Sequence, residues 1–109
     1  MRDFTTQTMF SGHLSLELSE TISRDDFPIF AQKVIKSLDA KLTKKTDSFD
    51  LQIWEIEVQN TQLMLVQDDF PVSTTLESSD QSGDAFLQDL AMKLRINPDL
   101  FEAQQNKRA

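Results

Sequence analysis

Chemistry in this chain must come from few groups. His13 is the single histidine, there is no cysteine, and glycine occurs only at Gly12 and Gly83. A histidine can act as a general base because imidazole titrates near neutral pH. His13, however, falls on the polar parity of Leu14 to Leu18, beside Ser15 and Glu17, where a surface position is the simpler expectation. Ser-His-Asp catalysis would need a nucleophile elbow, and a phosphate-cradling loop would need clustered glycines; the sequence offers neither. Carboxylates could bind a hard cation. Asp80-Gln81-Ser82-Gly83-Asp84 resembles the start of a calcium loop but lacks its regular acids and its closing Glu. Capping of a following helix, with Ser82 as N-cap and Asp84 at the positive end of the helix dipole, accounts for the same residues. Asp68 and Asp69 would point to opposite sides of an extended chain, so a turn before Pro71 explains them better than a shared ion. No catalytic, cofactor-binding or metal-binding residue is therefore assigned.

The acids are more informative as a group. Between Thr46 and Met92 stand ten carboxylates and no Lys or Arg. The flanks are balanced, with seven basic against six acidic residues over 1–45 and four against two over 93–109, so the net charge of -7 is generated locally. A one-sign field of this kind disfavours nucleic-acid phosphates and anionic membranes and suits a basic protein partner.

The elements that position these groups follow from periodicity. Residues 1–11 lack it and read as a poorly ordered lead-in. Leu14, Leu16 and Leu18 alternate with polar residues as a half-buried strand. Asp25 or Asp26 ahead of Phe27-Pro28 marks a helix start, because proline tolerates only the first helical turn. Phe27, Phe30, Ala31, Val34, Leu38 and Leu42 then form one apolar stripe. Residues 40–50 fit either a polar edge strand or a loop. Trp54, Ile56 and Val58 alternate with Ile53, Glu55 and Glu57, and turn residues at 59–61 lead into Leu63 to Val66, apolar on both faces as a central strand would be. Val72, Thr74 and Leu76 mark another strand. Phe86, Leu87, Leu90, Ala91 and Leu94 mark a second helix, stopped by Asn97-Pro98. Asp25-Asp26-Phe27-Pro28 recurs at 68–71, once before a helix and once before a strand, so the repeat is boundary chemistry rather than a duplicated unit.

The expected fold is thus α+β: two layers, a mainly antiparallel sheet of four or five strands, and two helices on one face. The order is strand, helix, three or four strands, helix. A single domain is expected over 12–97, followed by a short helical turn and a frayed tail over 98–109. The longest apolar run, Leu63 to Val66, is far below the roughly 18 residues of a membrane span. Absence of cysteine fits a reducing compartment, and Met1 to Phe10 lacks the apolar stretch of a signal peptide, so a cytoplasmic location is expected.

With the apolar parities facing the helices, Glu55, Glu57, Met64, Val66, Ser73, Thr75 and Glu77 share the uncovered sheet face. The ordinary reading of such a face is solvation and protection from edge-to-edge aggregation. The sharper one is a non-catalytic interaction surface for a basic protein, with Met64 or Val66 at its apolar centre. Lys33, Lys36, Lys41, Lys44 and Lys45 add a third use. In a two-fold homodimer they would meet the acids of a second copy, or they would neutralise acids within one chain.

Leu14-Ser15-Leu16-Glu17-Leu18, Asp26-Phe27-Pro28, the hairpin around Trp54 with Leu63 and Leu65, and the helix from Phe86 to Leu94 together resemble the proteobacterial domain of unknown function family 3630. The resemblance implies a fold and a bacterial cytoplasmic setting, and carries over no functional residue. A secretion-chaperone-like or immunity-type protein binding one partner is the alternative, although such chaperones begin with a helix and place another within the sheet. A small enzyme is the least favoured reading, given the sparse site chemistry.

Overall fold

A computed structural model describes residues 4–69 and 71–101. The elements are β1 (Thr6–Thr8), β2 (Leu14–Ser19), α1 (Phe27–Leu38), β3 (Lys41–Asp47), β4 (Leu51–Val58), β5 (Thr61–Asp69), β6 (Val72–Ser78) and α2 (Gln81–Ile96). The strands form one antiparallel sheet in the order β1-β2-β6-β5-β4-β3. Helix α1 carries the chain from β2 to the far edge, and the meander β3 to β6 brings it back to pair with β2.

One side-chain parity builds the core. Leu16, Leu76, Leu65 and Trp54 are successive cross-strand partners across β2, β6, β5 and β4, and all are buried. Each fully buried Leu of this row contributes about 1.5–3 kcal/mol relative to exposure. Phe27, Phe30, Ala31 and Val34 of α1 and Leu87, Leu90, Ala91 and Leu94 of α2 join the same cluster, so both helices cover the same face. Trp54 meets Phe27 edge to face at 5.6 Å, and Lys45 sits over its ring at 4.3 Å. As its apolar run suggests, β5 is an interior strand, flanked by β6 and β4. It reverses from β4 through Gln59 and Asn60, both with positive φ, the requirement of a two-residue hairpin whose twist matches its strands.

Several expectations need correction. Among the described residues the sheet has six strands, not four or five, and the opening is strand, strand, helix. The lead-in at 1–11 contains β1, which pairs with β2 through Thr6 opposite Leu16, and Phe4 ahead of it is buried. Thr5, Thr6 and Thr8 have the β-branched shape a strand accommodates but no apolar alternation to announce it. The polar stretch at 40–50 resolves into the edge strand β3. A bulge between Leu42 and Lys44 keeps both Leu42 and Lys45 on the helix side, and the Thr43 hydroxyl ties the extra residue to the Glu55 carbonyl at 3.0 Å.

The packed unit reaches past 97. Residues 98–101 form a turn in which the Leu100 amide donates to the Asn97 carbonyl at 3.1 Å, and Phe101 is buried edge to face against Phe30 at 6.2 Å. The tail expected at 104–109 lies outside the described residues. Asp26 is the N-cap of α1, but its side chain makes no capping hydrogen bond; its carboxylate accepts from the Ser23 hydroxyl instead. The N-cap of α2 is Asp80 rather than Ser82: Asp80 Oδ1 accepts from the Gly83 amide at 2.8 Å, while the Ser82 hydroxyl donates to the same oxygen at 2.9 Å. Among the described residues no helix is long and apolar enough to cross a membrane.

Candidate functional site

With both helices on one side, the other side of the sheet is left uncovered among the described residues, and the antiparallel registers order its side chains into rows. One row runs Gln7, Ser15, Glu77, Met64, Glu55, Lys44 across all six strands. The adjacent row runs Glu17, Thr75, Val66, Ile53, Thr46. Asp68 opposes Ser73 farther along, and Gln62, Glu57 and Lys41 form the row on the other flank. Same-face neighbours along a strand are about 7 Å apart and directly opposed side chains about 5 Å.

Glu55, Glu57, Met64, Val66, Ser73, Thr75 and Glu77 all lie on this face, each half-buried among its neighbours. Ile53 belongs with them. It stands opposite Val66, so the apolar centre is Met64, Val66 and Ile53 rather than one residue. Ile53 shares the parity of Glu55 and Glu57, which is visible in the alternation, although it is not among the candidate residues drawn from the sequence.

The acids are not equivalent. Glu55 and Glu57 stand opposite Lys44 and Lys41 of the edge strand, so part of their charge is offset within the chain. Glu77 has Ser15 on one side and Met64 on the other. Burial pushes the Glu77 carboxyl above the usual carboxylate range, with a smaller opposing contribution from the Thr75 hydroxyl, which donates to it at 3.3 Å. On β2, Glu17 accepts from the Ser73 hydroxyl at 3.1 Å.

Two depressions mark the β1 half of the face. A polar one of about 220 Å³ is lined by Gln7, Ser15, Glu17, Ser73 and Thr75, together with Thr5. A mostly apolar one of about 420 Å³ lies where the β1–β2 turn stands beside β6 and β5; Met9, Phe10, His13, Met64 and Glu77 contribute to it. Phe10 is fully exposed at the tip of that turn.

His13 is not the loose surface residue expected. Its Nδ1 is 2.9 Å from Asp84 Oδ2, while Asp84 Oδ1 accepts from the Leu14 amide at 2.9 Å and the Ser78 hydroxyl at 2.8 Å. Asp84 therefore clips the β1–β2 turn and the end of β6 to the first turn of α2, fixing one wall of the larger depression. The His13 ring and then the Leu14 amide hold the Asp84 carboxyl below the usual carboxylate range, outweighing the effect of burial. Asp80 is likewise lowered, first by the Gly83 amide and then by the Ser82 hydroxyl. The spacing from His13 to Asp84 spans most of the chain, so no local pattern could reveal the pair.

A two-layer α+β protein with one uncovered, acid-bordered sheet face is the class these features define. The chain belongs to DUF3630, a family described as proteins of unknown function, whose model matches residues 4–95. No curated protein and no solved structure matches the chain significantly.

Proposed function

We propose that this protein is a non-catalytic interaction module of the bacterial cytoplasm that docks one basic protein partner on its open sheet face. The observation that carries this reading is the apolar centre of Ile53, Met64 and Val66, bordered by Glu17, Glu55, Glu57 and Glu77 on a face that neither α1 nor α2 covers. An apolar centre inside a charged border is the usual anatomy of an interface, with the border setting partner choice and encounter rate. The net charge of -7 supports a basic partner over nucleic acid.

A secretion-chaperone-like or immunity-type role is compatible with such a face, because each requires only one partner docked without chemistry. The two-fold homodimer is disfavoured: Lys41 and Lys44, which would have to reach a second copy, already stand opposite Glu57 and Glu55 of their own chain. Affinity capture from the native cell across a salt series tests the reading. A basic partner retained at low ionic strength and released as salt screens the acidic border is expected. Retention unchanged into molar salt, or light scattering that shows a dimer under all conditions, contradicts it.

A further inference from the structure

The border acids divide into those opposed by lysines and those that are not, and Glu77 is the half-buried carboxylate that also lines an apolar depression. Met9, Phe10 and Met64 are its apolar walls, Ser11, Ser78 and Ser79 line it as well, and His13 is held in place by Asp84. A purely apolar occupant would fill the walls but further desolvate a carboxylate that has the Thr75 hydroxyl and, among the described residues, no cation against it, which is unfavourable. An anion would be repelled. A long side chain with an aliphatic stem and a terminal cation satisfies both parts, and a volume of about 420 Å³ leaves ample room for it. The guanidinium suits it best, since it pairs with carboxylates through parallel hydrogen bonds and stacks on aromatic rings.

We propose that this depression receives one arginine or lysine side chain of the docked partner, its stem against Met9, Phe10 and Met64 and its cation against the Glu77 carboxylate. The proposal rests on the open-face reading above and sharpens it to a subsite. Phe10, fully exposed on its turn, closes over the stem as a cation–π lid. The subsite sits at the β1–β2 end of the face, so the partner's basic residue must lie to one side of whatever covers Val66 and Ile53.

The test uses the whole chain with carbon-13-labelled methionine methyl groups, titrated with the amidated peptide Gly-Ser-Arg-Ser-Gly and its citrulline counterpart, which keeps the shape and removes the charge. Expected are concentration-dependent shifts of the Met64 and Met9 methyls with arginine, and none at Met92 on α2. Citrulline in the peptide, or Glu77→Gln in the protein, should weaken binding by roughly tenfold or more, the usual scale of a charge-assisted hydrogen bond. Equal binding of the citrulline peptide overturns the proposal without recourse to any variant. So does equal binding by Glu77→Gln, or shifts confined to Met92. Val66→Asp separates the two levels of inference. If it abolishes salt-sensitive capture while the arginine peptide fails on the wild type, the face stands and the subsite falls. If capture survives Val66→Asp, the face reading itself falls.

Discussion

Asp84 gathers His13, Leu14 and Ser78, three groups from two strand ends, around one carboxylate at the start of a helix. Because its folded-state pKa is depressed, its contribution to stability is fully present above the unfolded value of about 3.9 and is lost as pH falls through the lower folded value. Asp80 acts in the same direction. Glu77 acts oppositely: its raised pKa means that ionisation opposes folding, so its unfavourable contribution fades as pH falls. Asp84→Asn should therefore melt lower than wild type at neutral pH and lose less on acidification below about pH 4. Parallel acid limbs for the two proteins would contradict the clip.

Thr74 presents a different residue-scale case. Its hydroxyl is buried opposite Gln67 without a hydrogen-bond partner among the described residues. Thr74→Val keeps the shape and removes the unpaired group, so urea unfolding should show a gain of about 1 kcal/mol. A loss of that size would mean that the hydroxyl is bonded after all.

At the scale of elements, the start of α2 depends on a close approach. Gly83 lies on buried Ser78, and an added Cβ would come within 2.6 Å of Ser78 Oγ and 3.0 Å of its Cβ. Alanine is ordinarily the better helix residue by about 1 kcal/mol. Here the clash should reverse the sign, with Gly83→Ala destabilising by about 1–3 kcal/mol because a short, packed serine cannot swing aside. A denaturant midpoint at or above wild type would refute this.

The same elements show what periodicity could and could not reveal. Leu14 to Leu18, the hairpin from Trp54 to Val66 and the stripes of both helices were legible because one face of each is buried and the other is not, although the first stripe ends at Leu38 and Leu42 belongs to β3. β1 was hidden, since an edge strand of Thr and Gln needs only backbone pairing and the anchor of Phe4. β3 was ambiguous because its bulge interrupts the alternation that would have identified it. The open face could be read by parity from single strands. Its order could not, because rows such as Glu77, Met64, Glu55, Lys44 depend on pairing partners, and pairing sets which acids meet lysines.

At the scale of the whole molecule, the central claim is that the uncovered face of the sheet, and not the outer surface of the helices, meets the partner. The helices have exposed apolar residues of their own in Ile29, Met92 and Ile96, so the two faces compete as docking surfaces. Met64 lies half-buried at the centre of the sheet face and Met92 is 52% exposed on α2, which provides an oxidisable reporter on each. The direct measurement is peroxide footprinting, read by mass spectrometry, of the chain alone and of its complex with the partner captured at low salt. If the sheet face docks the partner, Met64 oxidation slows severalfold in the complex while Met92 oxidises at its free rate. Protection of Met92 with Met64 unchanged would place the partner on the helices and contradict the claim.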